Sequence, residues 1–199
     1  MKNLMIGLMF LFTLFAFANE IDPTNLAQFN ILGVNLTHEK LNDAVKKFKG
    51  AKIIKPKIKY EQDYEYDSFC LTGDDGTKIT FRSNYAFSGD EVAEYTLEAK
   101  GNKSSDCSKN EQLSSKIKIP IGLSLGLTKV EVEKILGKLK PLTQMFLIGA
   151  LNQNLYPYNF SANEKKKSPN LAYDLDVLIG FNAEGKVDTI HVSFAQEAL

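Results

Sequence analysis

The sequence predicts an α+β protein of two tandem units, each with helices packed on an antiparallel β-sheet. Two observations carry this. Residues 37–48 and 128–139 bear the same helical pattern, 91 positions apart (128 minus 37). Each copy is followed by segments that alternate apolar and polar residues with period two, the signature of half-buried strands. A third observation sets the compartment: the chain opens on an export signal.

The signal comes first. Lys2 supplies a positive start, residues 4–17 are almost wholly apolar with Thr13 the one polar break, and Ala16, Phe17 and Ala18 form a small-x-small cleavage site. The run is short for a spanning helix, which needs about 20 residues. Residues 1–18 are therefore expected to be a cleaved signal peptide, and the protein periplasmic or secreted. No membrane span is expected after cleavage. The mature chain would hold 181 residues (199 minus 18). The domains expected are a first unit over 19–100, a linker over 101–116, and a second unit over 117–199 with an insertion at 141–170.

Lys+Arg and Asp+Glu both number 24. That balance argues against bulk attraction to nucleic acid or to an anionic membrane. The two cysteines, Cys70 and Cys107, are expected to form one disulfide, the default in an exported chain. It would close an interval of 36 residues (107 minus 70 minus 1).

In the first unit Thr37 is the expected N-cap, with Glu39 in the first turn. Leu41, Ala44, Val45 and Phe48 then fall at i, i+3, i+4, i+7. Gly50 is the stop. From residue 55 to 67 the odd positions are all charged, and Ile58, Tyr60, Tyr64 and Tyr66 occupy even ones. A strand then covers residues 68–72. Asp74, Asp75 and Gly76 make a hairpin turn. Strands follow over 78–82 and about 92–99.

In the second unit Thr128 and Glu131 stand at capping-box spacing. The stripe Val132, Ile135, Leu136 and Leu139 matches the first copy, and Gly137 ends the helix or breaks its last turn. Strands are expected at 173–181 and 186–194 around a turn at 182–185. Val187, Ile190 and Val192 match Val92, Tyr95 and Leu97.

Gly122, Gly126, Leu127, Thr128, Glu131, Val132, Ile135, Leu136 and Gly137, with the later strand from Gly185 to Val192, carry a resemblance. This segment resembles the repeat of the BamE/SmpA and beta-lactamase-inhibitor-protein (BLIP) group. The specific motif covers about 16 residues, 122–137. The first copy matches less well: Asn35 stands where Gly126 would align, and Lys46 where Gly137 would. The resemblance implies tandem BLIP/BamE-like units and no catalytic activity: members are envelope assembly subunits, or inhibitors that grip an enzyme with the sheet face. BamE-type proteins are lipoproteins, and no cysteine here follows the cleavage site.

Candidate binding residues fall in two places. One is the expected strand at 55–67, with the acidic row Glu61, Asp63, Glu65 and Asp67 on one face and the tyrosines Tyr60, Tyr64 and Tyr66 on the other. The row pairs with lysines 55–59 or is simply solvated, or it forms a strip for a basic partner. The other is the insertion, with Met145, Phe146, Tyr156 and Tyr158, which either closes the second core or is an exposed anchor patch.

Catalytic chemistry is not expected. Gly122, Ser124 and Gly126 match G-x-S-x-G, and Asp174, Asp176 or Asp188 followed by His191 matches a triad order. A nucleophile elbow needs its helix to start at once after the serine, whereas the cap here is Thr128. No metal-ligand spacing occurs, and no cofactor is expected. The sequence thus predicts a non-enzymatic protein-binding module, an inhibitor or immunity-type protein. The alternative is an assembly or scaffold subunit of the cell envelope.

Overall fold

Both predicted helical stripes land on one hydrophobic core. In the computed structural model α1 (Leu41–Lys46) buries Leu41 and Ala44, with Phe48 just beyond its end, and α2 (Lys129–Leu136) buries Val132 and Leu136. Val45 and Ile135 pack partly exposed against the same cluster. The structure describes residues 26–55, 67–83, 90–100, 106–139, 155–162 and 171–198. The expected signal peptide therefore lies outside the described residues.

The strands are β1 (Ser68–Thr72), β2 (Lys78–Ser83), β3 (Val92–Glu98), β4 (Ser108–Lys109), β5 (Leu155–Ala162), β6 (Leu171–Phe181) and β7 (Val187–Ala198). They form one seven-stranded sheet in the order β4-β1-β2-β3-β7-β6-β5. All neighbours are antiparallel except β1 and β4, which run parallel.

This corrects the predicted fold class. The protein is not two tandem units, each with helices packed on its own antiparallel sheet. It is mostly a single mixed sheet, and the described α-helices are two, of 6 and 8 residues, besides a 3-10 turn at Leu26–Phe29. The physical reason is the seam between β3 and β7. Their backbones pair over five positions, from Glu94↔Ser193 to Glu98↔Thr189. The core rows run straight across that seam: Phe69, Phe81, Tyr95, Val192 and Val177 in one, and Leu71, Ile79, Leu97, Ile190 and Ile179 in the next. All ten side chains are buried, so two separate cores never form.

Local chemistry explains the ends of each element. Thr128 and Glu131 form the predicted capping box, which satisfies the free amides of the first helical turn. Gly137 is the C-cap, at φ 82°. The first helix departs from expectation. Its N-cap is Lys40, and Thr37 takes a positive φ of 62° while its N–H donates to Val92 O at 2.9 Å. The backbone of residues 37–39 is thus used to hold the start of β3. Glu39 is likewise occupied, accepting from the Asn35 N–H and from Lys47 Nζ. Leu127 and Gly126 hold the start of β7 in the same way, through Val187 N–H to Leu127 O and Gly126 N–H to Val187 O.

Phe48, Phe69, Phe81 and Tyr95 form a chain of ring contacts under the first half of the sheet, with centroids 4.9–6.4 Å apart. Burial pushes the Tyr95 phenol well above its ordinary titration range. It stays a donor, to Phe29 O at 3.0 Å. The expected Asp74, Asp75 and Gly76 turn joins β1 to β2, closed by Gly73 N–H to Thr77 O.

The Cys70–Cys107 disulfide is present, with Cα atoms 4.7 Å apart. It fixes β4 beside β1 and fits an oxidising, non-cytoplasmic compartment. In the stretch expected as a linker, Leu113 is buried against Gly73, and Ser115 N–H donates to the Asp75 carboxylate at 2.7 Å. No helix among the described residues is long and apolar enough to cross a membrane.

Candidate functional site: the polar face of the sheet

With one face of every central strand in the core, period two sends the alternate residues to the other face. There the register builds three rows. The first is Ser68, Arg82, Glu94, Ser193 and Asp176. The second is Cys70, Thr80, Thr96, His191 and Leu178. The third is Thr72, Lys78, Glu98, Thr189 and Gly180.

Charges on this face are paired across strands. Arg82 Nη1 meets Glu94 Oε1 at 2.9 Å, and Lys78 Nζ meets Glu98 Oε2 at 3.8 Å. Each cation stands directly opposite its glutamate, the arrangement in which cross-strand pairs stabilise a sheet. Between the two pairs lies Thr96, directly opposite His191, with Oγ1 and Nδ1 3.0 Å apart. Both side chains are buried. Burial pushes the His191 imidazole down from its ordinary value; Glu94 pulls it up, and Arg82 pushes it further down. The neutral ring is therefore the resting form, and one partner of the Thr96 contact donates while the other accepts. The result is a polar face whose charged pairs are fixed in register on either side of a largely buried middle row.

The sequence singled out other residues. Tyr60, Glu61, Asp63, Tyr64, Glu65, Tyr66, Met145 and Phe146 lie outside the described residues. Asp67 is half-buried just before β1, and its carbonyl accepts from the Ser83 N–H at 3.0 Å and from the Ser83 hydroxyl at 3.3 Å. Tyr156 and Tyr158 lie in β5, paired with Ile179 and Val177.

The triad pattern distributes over different surroundings. His191 is on the polar face, engaged by Thr96. Ser124 is buried in the loop whose neighbours Leu123 and Leu125 join the core. Asp176 stands in the first polar row, opposite Ser193, and Asp174 pairs along the backbone with Ala195. Asp188 lies at the start of β7, where its carbonyl accepts from Ala99 N–H. Among the described residues, no group of three or more His, Cys, Asp or Glu side chains could hold a metal.

Lys78, Arg82, Glu94, Thr96 and Glu98 were not singled out from the sequence, though a signal was there. β2 reads Lys, Thr, Arg at alternate positions and β3 reads Glu, Thr, Glu. Antiparallel pairing of two such strands sets each cation against a carboxylate.

Comparison with known proteins leaves the face to be read on its own terms: no family model, no curated protein and no solved structure matches the chain.

Proposed function

We propose that the chain is an exported, non-enzymatic protein-binding module, an inhibitor or immunity-type protein, and that the polar sheet face grips its partner. The observation that supports this is the row structure of that face. It carries hydroxyls from Ser68, Thr72, Thr80, Thr189 and Ser193 and two ion pairs already held in register. Preorganised charge costs little ordering on binding and gives specificity and fast encounter more than raw affinity. The disulfide, which fits an oxidising compartment, is in keeping with action outside the cytoplasm. The resemblance to sheet-gripping inhibitors points the same way.

The test is capture of partners from the native envelope and secreted fractions with the exported chain as bait. The comparison bait carries Lys78→Glu with Glu98→Lys. This exchange keeps an ion pair within the sheet but reverses its polarity toward a partner. One enriched protein, held at least about tenfold more weakly by the exchanged bait, supports the reading. Equal capture by both baits removes the polar face from the interface. Enrichment of outer-membrane assembly components instead replaces the inhibitor by an envelope scaffold.

A further inference from the structure

We infer that His191 is an acid-sensitive charge switch at the centre of the polar face: on taking up a proton it competes with Arg82 for Glu94 and leaves the face with an additional cation. As regulation of binding, this rests on the function proposed above; the switch itself does not.

The geometry is that of one carboxylate between two cations, one permanent and one conditional. Glu94 and Thr96 are alternate residues of β3 on one face, and His191 stands opposite Thr96 on β7. Glu94 is thus the diagonal neighbour of His191. Such positions are about 7–8 Å apart along the backbone and within reach of a long side chain. On its other side Glu94 is held by Arg82 at 2.9 Å, and its side chain is only 16% exposed. Above its titration the His191 ring needs one donor and one acceptor, and Thr96 Oγ1 at 3.0 Å serves Nδ1. Once charged, both ring nitrogens donate. A buried imidazolium then requires a carboxylate, because an unpaired buried charge is costly. Glu94 is the carboxylate that acts most strongly on the ring.

The remaining charged residues of the three rows are Lys78, Glu98 and Asp176. Lys78 and Glu98 pair with each other in the third row. Asp176 of β6 stands opposite Ser193, as the second diagonal carboxylate. β1 contributes Cys70, which is disulfide-bonded. Protonation also carries a cost to the fold. Because the folded ring titrates below 6.5, the unfolded chain binds the proton first as pH falls through that value. Stability therefore drops as the switch is thrown.

The test is ring-proton NMR of the whole exported chain between about pH 5 and pH 8, extended downward as needed. The His191 midpoint should fall in Glu94→Gln and rise in Arg82→Gln, each by on the order of one pH unit. Compared at the same pH, the Arg82 guanidinium protons should be less protected in wild type than in His191→Gln once His191 is charged. Equal midpoints in the two variants overturn the inference, as does Arg82 protection that is equal in wild type and His191→Gln. If Glu94→Gln does not fold, the rise expected in Arg82→Gln decides alone. No partner enters these measurements, so their failure is distinct from a failure to capture a binding protein.

Discussion

Gly73→Ala isolates the docking of residues 106–116 on the β1–β2 hairpin. A Cβ at Gly73 would stand 2.1 Å from Leu113 O and 2.9 Å from Leu113 C, both backbone atoms. An ordinary C···O contact is about 3.3 Å or longer, so the Leu113 backbone must retreat by about 1 Å. Gly73 does not use the left-handed region, and alanine by itself would stabilise by about 0.4–1 kcal/mol through the unfolded chain. The clash decides the sign. Leu113 is 1% exposed, and withdrawing a buried leucine costs about 1.5–3 kcal/mol before any cavity term. The net expectation is a loss of about 2–4 kcal/mol. For a chain of this size that lowers Tm by about 4–16 °C. Urea unfolding of Gly73→Ala, Leu113→Ala and the double variant measures it. The double should lose less than the sum, since the second change finds no buried leucine left to displace. A Gly73→Ala protein as stable as wild type would show that the segment does not sit against this turn.

Three further outcomes follow from the same fold. Cys107→Ala should cost about 3–4 kcal/mol, from the loop-closure entropy of a bond spanning 37 positions, and wild type in reductant should show the same fall in denaturation midpoint. Tyr95→Phe removes the buried donor to Phe29 O and should lower the urea midpoint by the equivalent of about 1 kcal/mol, with an unchanged m-value. Asp75 is pushed up by burial, but the amides of Ser115 and Thr77 outweigh this and hold its carboxyl well below the usual range. The unfolded chain then takes up the proton first, so stability should fall as pH drops below about 4; thermal scans of Asp75→Asn should lose that part of the pH dependence.

How much of this was legible in the sequence depends on the range of the interaction. The two helical stripes, the Thr128–Glu131 box, the Asp74–Gly76 turn, the disulfide and most of the strands are set by residues close in sequence or by pairing chemistry with one solution. The sheet's continuity was not legible, because nothing local tells whether Val92–Glu98 stops at an edge or continues into β7. The cap at Thr37 misled for a related reason: its amide serves β3, more than fifty residues on. β5 was hidden inside the expected insertion by Pro157, whose missing N–H is tolerated because β5 ends the sheet order. On the candidate site, the sequence sets His191 in a motif with Ser124. Its real neighbour, Thr96, lies 95 positions away and carries no motif.

The seam between β3 and β7 also sets a schedule. Thr96 finds His191 only after another 95 residues have been made. At about 5–20 residues per second, ribosomal synthesis takes roughly 5–20 s to supply them. Throughout that interval β1, β2 and β3 can pair with one another, but the far edge of β3 has no strand to meet. β7, which follows all the other described strands in sequence, lies between β3 and β6, so the sheet is completed from its interior. A sheet built this way cannot close until β7 is present, and until then β3 offers an open strand edge to whatever holds it.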